Sequence, residues 1–283
     1  MKKKLLSVLC AAALAVSSLS GCSQSAKKEQ ATPVPTKAVA DHNEEKESNL
    51  GLWTRAAGSV LIYINDGNPY YFGGYETTDD NKNAAINILK QSWSIKDRAD
   101  LLKQIKTLLT TGDRKGYRKE AKEMNRMSKK DLKTAMKQLS GSLLAHYQMV
   151  QYNWKTWREK GLVAWDMCRV SHLVQWGYVA GYLEREEAQA LMEPAAKRLK
   201  EHFNSWEEVQ NNWLDGFCLH ANIDREAKNT DYTNRKAIYE TICSEQKKDD
   251  LLYDDTLFSS DIIPVSKVSY RTLLKEIKQD KKK

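Results

Sequence analysis

Apolar positions recur along most of this chain at the spacing of one helix face, and that pattern predicts an all-α protein. Leu50, Trp53, Ala57, Val60, Leu61 and Ile64 follow such a spacing, with Ser48 or Asn49 available as N-cap. The same stretch holds Val60-Leu61-Ile62-Tyr63-Ile64 followed by Asp66-Gly67, which also fits a strand entering a hairpin. The helix is the reading adopted. Residues 65–83 are rich in Gly, Asn, Asp and Tyr and read as a loop carrying Tyr70, Tyr71, Phe72 and Tyr75.

The helical signals then strengthen. Ser94 with Asp97 resembles a capping box ahead of Ala99, Leu102, Ile105 and Leu109. Ser128 with Asp131 repeats it ahead of Leu132, Ala135, Met136 and Leu139. Leu143, Tyr147, Val150, Trp154 and Trp157 form a third apolar face, broken by Gly161. A fourth helix is predicted from Val163 to Trp176 and another from Glu184 to Phe203. In the latter, Glu184, Glu186 and Glu187 complement the positive helix end. Pro194 lies inside that pattern and costs ~3 kcal/mol there, so a kink or short break is expected. Ser205 with Glu208 opens a helix through about Leu219. Tyr232 to Cys243 and Ser269 to Ile277 also read as helical, with Pro264 between them, and Lys281 to Lys283 should fray.

The N-terminus reads differently. Lys2, Lys3 and Lys4 precede an uncharged apolar or small run from Leu5 to Leu19, the order of a secretory signal. The run is shorter than the ~20 residues of a membrane span. Leu19-Ser20-Gly21-Cys22 resembles the lipobox of bacterial lipoproteins, which implies cleavage before Cys22 and a diacylglyceryl group on its sulfur. Two acyl chains hold a protein stably to a bilayer where one holds it marginally. The expected location is therefore the extracytoplasmic face of the cell membrane, with the lipid bilayer as partner. Residues 23 to about 48 contain no aromatic residue and mix Lys and Glu with Pro33 and Pro35, the composition of a disordered spacer. The expected fold is a single irregular multi-helix domain behind a disordered tether. Its parts are a signal peptide at 1–21, a tether at 22–48, a helical domain at 49–224 and a helical C-terminal extension with a basic end at 225–283.

Charge adds one feature. Residues 96–137 hold 14 Lys/Arg against 6 Asp/Glu, so the basic excess of the chain is concentrated there. Such a region could meet anionic lipid or wall polymer, or be a solvated helix face; nucleic acid does not fit an exported protein. Cys168, Cys218 and Cys243 remain after Cys10 and Cys22 are set aside, which permits one disulfide and a free thiol or three buried thiols. Their spacing matches no zinc pattern.

Six of the eight tryptophans lie between Trp154 and Trp213. Within the densest part, Trp165, Arg169, His172 and Trp176 share one helix face, and Asp166 lies one turn from Arg169. Asp166 and Arg169, then Trp176, Gly177, Tyr178, Ala180, Gly181 and Tyr182, then Glu186, Glu187 and Ala188, then Phe203, Ser205, Trp206 and Glu208, resemble the pattern of the bacterial domain of unknown function 1266 family. Ser92-Trp93-Ser94-Ile95 looks like that family's upstream element. The resemblance covers roughly residues 50 to 222. It implies a helical domain and no particular activity.

Two readings follow. Asp166, Arg169, His172, Trp176, Tyr178 and Tyr182, with the Tyr70–Tyr75 loop, could form the binding surface of an interaction module whose protein partner is unidentified. Alternatively Asp166 or Glu187 with His172 could serve a hydrolase of envelope glycan or peptide. Each group also has a plainer role: a buried ion pair, a hydrogen-bonded core histidine and core tryptophans. No metal, cofactor or phosphate-binding motif is found, and no catalytic residue is named. Burial decides between the readings, since a site needs an open cleft and a scaffold does not.

Overall fold

A computed structural model describes residues 48–228, 230–245 and 252–277. Among the described residues there are helices and no strands. In chain order they are α1 (Asn49–Ile64), α2 (Asp79–Trp93), α3 (Arg98–Thr110), α4 (Arg114–Asn125), α5 (Lys129–Met136) and α6 (Gly141–Trp157). They continue with α7 (Val163–Val179), α8 (Arg185–His202), α9 (Trp206–Ala221), α10 (Asp231–Glu245), α11 (Asp255–Ser259) and α12 (Tyr270–Glu276). The signal segment, Cys22, the tether up to residue 47 and Lys281–Lys283 lie outside the described residues.

α7 is the hub. It packs against α1, α2, α3, α8 and α9, and every residue from Val163 to Gly177 is buried. Each fully buried Val, Leu or Met contributes ~1.5–3 kcal/mol relative to exposure. α1 crosses it closely: Ser171 Oγ donates to the Thr54 carbonyl at 2.6 Å, and Gln175 Nε2 donates to the same oxygen at 3.2 Å. α6 rests on α4 and α9, α10 on α1 and α9, and α12 on α3 and α8. The buried apolar side chains form one contiguous core.

Several local signals differ from expectation. Ser94 does not open a helix; it closes α2 in a left-handed conformation at φ 56°. Asp97 is the N-cap of α3 and accepts from the Asp100 amide at 2.9 Å. Ser128 caps α5 as expected. Ser205 accepts from the Glu208 amide at 3.2 Å, but the Glu208 carboxylate turns to the Asn204 amide instead of closing the box. The reciprocal box stands at α8, where Glu187 accepts from the Glu184 amide at 2.9 Å. α8 runs through Pro194 without a break. Ala190, Leu191, Met192, Ala195 and Ala196 around it are all fully buried, and that packing outweighs one lost helix bond. The loop expected at 65–83 gives way to α2 from Asp79, because Thr78 accepts from the Asn81 amide.

Among the described residues no helix is long and apolar enough to cross a membrane. All three described cysteines are free; Cys168 and Cys218 are buried and Cys243 is exposed. Neither cysteine arrangement expected from the sequence is therefore found.

Candidate functional site

The site residues suggested by the sequence separate into two groups. Asp166, Arg169, His172 and Trp176 lie in the interior, at 0 %, 3 %, 1 % and 1 % exposure. Tyr178 and Tyr182, at the end of α7, are partly exposed. Tyr178 meets Phe72 edge to face, and the Tyr182 hydroxyl donates to the Lys96 carbonyl at 2.8 Å. The aromatic loop packs on this end of α7, where the Gly73 amide donates to Gln175 at 3.3 Å.

The interior group is organised around the turn between α3 and α4. That turn leaves carbonyls unpaired at the end of one helix and amides unpaired at the start of the next. Arg114 donates to the Leu108 and Leu109 carbonyls at 2.6 and 2.8 Å, closing α3. Asp166 accepts from the Asp113 and Arg114 amides at 2.9 and 3.2 Å, opening α4. The two side chains then pair with each other at 2.7 Å. Gly112 makes the approach possible: its φ is +53°, and a Cβ there would lie 2.0 Å from Asp166 Oδ2.

Asp113 is the second node. Its Oδ2 accepts from Arg169 at 2.8 Å and from the Trp165 indole at 2.9 Å, with His220 at 3.4 Å. The Arg169 guanidinium lies over both the Trp93 and Trp165 rings, at 4.8 and 4.9 Å. A planar cation suits this slot, since it can pair in its plane and stack on both faces. Asp166 is only a secondary partner of Arg169, at 3.8 Å.

The electrostatics follow from these contacts. Burial pushes Asp113 up, but His220, Arg169 and the Trp165 indole outweigh it and hold the carboxyl below its ordinary range. For Asp166, burial and then the Asp113 charge push the carboxyl up to about 6, against Arg169 and Arg114. The Arg114 pair and the two backbone amides it accepts from suit the ionised form, whose desolvation they do not fully repay. Burial, then the Arg169 and Arg235 charges, pull His172 down to about 3 and keep the imidazole neutral. The His172 Nδ1 has no hydrogen-bond partner.

The space beside His172, between Trp93, Trp165, Trp213 and Arg169, is a cavity of about 10 Å³. That admits about one water and excludes a sugar ring or a peptide. The other acid considered for hydrolysis, Glu187, makes a two-pronged pair with Arg98, both bonds 2.7 Å. That pairing, followed by the opposing effect of burial, holds Glu187 below its ordinary range. Among the described residues no group of three or more His, Cys, Asp or Glu could hold a metal ion.

A family profile described as protein of unknown function (DUF1266) matches residues 88–249, more than half of the chain. The chain belongs to that family. The match begins within α2 and runs past Asp224 through α10, whereas the motifs in the sequence suggested roughly 50 to 222. It therefore contains Trp93, the α3–α4 turn, all of α7 and the Arg235 that stacks on Phe217 at 3.8 Å. No curated protein and no solved structure matches the chain.

Sequence reasoning identified Asp166, Arg169 and the tryptophans but not Asp113 and Arg114, which complete the cluster. Asp113-Arg114 follows Thr111-Gly112, a turn signal between two apolar stripes, and that was the available clue.

Proposed function

We propose that this protein is a bacterial lipoprotein: a helical domain of the DUF1266 family displayed on the extracytoplasmic face of the cell membrane as a binding or interaction module. The observation that carries this reading is Leu19-Ser20-Gly21-Cys22 after an uncharged apolar run and three lysines. On this reading Cys22 carries a diacylglyceryl group with palmitate-length chains, and these hold the protein to the bilayer. A binding role is favoured over hydrolysis because Asp166 and Glu187 are both engaged in ion pairs and the cavity beside His172 is too small for a substrate. Any partner must then be met by the outer surface.

The test is expression of wild type and Cys22→Ser in a bacterium fed labelled palmitate, with membranes washed in high salt. Wild type should carry label and stay with the membranes, while Cys22→Ser should lose both. Salt-resistant sedimentation of Cys22→Ser at the wild-type level would refute the anchor.

A further inference from the structure

α5 is the least committed helix of the fold. Its apolar positions Leu132, Ala135 and Met136 read as a core stripe, yet Ala135 is its one buried residue. Leu132 and Met136 are half-buried at the edge of the core and line a surface groove between α4, α5 and α6. The groove consists of two adjoining depressions of about 500 and 370 Å³ that share Leu132 and Gln151. Its floor is apolar: Met124, Leu132, Met136, Leu144, Val150 and Trp154. Its rim is cationic: Lys129, Lys133, Lys137, Lys155 and Arg158. No carboxylate is among the residues lining either depression.

The basic excess of residues 96–137 is thereby resolved into parts. Arg98 pairs with Glu187 and Glu276, Arg114 is buried against Asp166, and Arg118 lies 3.8 Å from Glu159. Among the described residues the lysines of α5 make no such pairs, and they stand beside the half-buried side chains of Leu132 and Met136. A polyanion would satisfy the rim and leave the floor wet, and an apolar peptide would do the reverse. An anionic amphiphile satisfies both. The groove is open to solvent, which suits a ligand presented by a surface.

We infer that the α4–α5–α6 groove is a docking face for the anionic phospholipid bilayer, a second and reversible membrane contact that sets which side of the domain faces the lipid. The inference rests on the lipoprotein reading for its geometry. It is tested with the mature chain carrying Cys22→Ser, which has no acyl anchor.

That chain is sedimented with phosphatidylglycerol vesicles and, separately, with phosphatidylcholine vesicles. Binding to the first and not the second is expected, and it should vanish in high salt. Lys129→Gln with Lys133→Gln and Lys137→Gln should weaken it by about 100-fold, roughly fivefold per cation near an anionic surface. Leu132→Ser should weaken it by about tenfold, the effect of withdrawing part of one leucine from the interface. Lys129, Lys133 and Lys137 are exposed and Leu132 is half-buried, and a cooperative circular dichroism melt above the assay temperature confirms that each variant folds. Three results would overturn the inference: no binding to phosphatidylglycerol, binding indifferent to the three lysines, or equal binding to vesicles and soluble polyphosphate that Leu132→Ser leaves unchanged. The anchor is read separately, from the salt-resistant sedimentation and palmitate label of the acylated protein, so either idea can fail alone.

Discussion

If Asp166 and Arg114 are scaffold, removing one should cost far more than half of what removing both costs. Asp166→Leu would leave the Arg114 guanidinium, 4 % exposed, with the Leu108 and Leu109 carbonyls and no buried counter-charge. It would also strip the acceptor from the Asp113 and Arg114 amides. Breaking a buried pair in this way costs ~3–5 kcal/mol. Arg114→Met leaves Asp166 with two amides and a distant Arg169, and should fall near the lower end, ~3 kcal/mol. In the double variant no charge is stranded. The Leu109 carbonyl keeps its bond from Arg198, so the loss reduces to two amides and the Leu108 carbonyl, ~3 kcal/mol at the lower end of ~1 kcal/mol for each group. The coupling should therefore be at least ~3 kcal/mol, the top of the range for residues in direct contact. Urea unfolding of wild type, both single variants and the double, followed by far-ultraviolet circular dichroism, measures it. Additive losses, or an Asp166→Leu penalty below ~1 kcal/mol, would refute the capping account and return Asp166 to the pool of functional candidates.

Three further outcomes follow from the same geometry. Gly112→Ala should destabilise the fold by more than Gly141→Ala. Both positions have positive φ, worth ~1–2 kcal/mol for a side chain, but only at Gly112 would the new Cβ strike Asp166, and equal losses in thermal melts would contradict this. Burial pulls His146 down, but Glu120 at 2.8 Å and then Asn222 outweigh it, so its folded pKa lies above the ordinary histidine value. Its contribution is then complete below ~6.5 and lost as pH rises through the raised folded value, so His146→Gln should destabilise the protein more at pH 6 than at pH 9 in urea titrations. In a chain that starts at residue 22 and carries Cys22→Ser, maleimide should label Cys243 in the native state, and Cys168 and Cys218 only after unfolding; mass spectrometry that finds Cys168 labelled first would contradict the burial order.

The helical class was legible because most helices here are amphipathic, and a 3.6-residue stripe survives in the sequence. α7 is the exception. It is buried on all sides, so its face carrying Arg169, His172 and Trp176 is not an outer face, and no periodicity distinguishes the two cases. That is why a polar and aromatic cluster in the sequence read as a candidate surface. Arg114 was hidden for the opposite reason: it stands in a run of basic residues that reads as solvated, although it is the one drawn inside. Ser94 and Asp97 show the limit of capping signals. Both residue types suit a helix start, and only the left-handed backbone at Ser94 shows that it closes the preceding helix.

The two charged regions of the chain thus change places in meaning. Around α7, Asp166, Arg114, Arg169 and Asp113 all have ionic partners, and Asp166 and Arg114 also hold helix ends, so the cluster fixes the path of the chain through one tight turn. A ligand would have to break that turn to reach it. Around α5 the reverse holds. The lysines have no carboxylate among the groove residues, and of the apolar stripe only Ala135 is fully taken into the core, Leu132 and Met136 staying half-buried at its edge. Interactions that the fold leaves unused are those available to a partner. On that reasoning, substitutions around Asp166 should lower stability and vesicle binding together, in proportion to the fraction unfolded, whereas substitution of the exposed Lys133 should lower binding while the melting temperature stays constant.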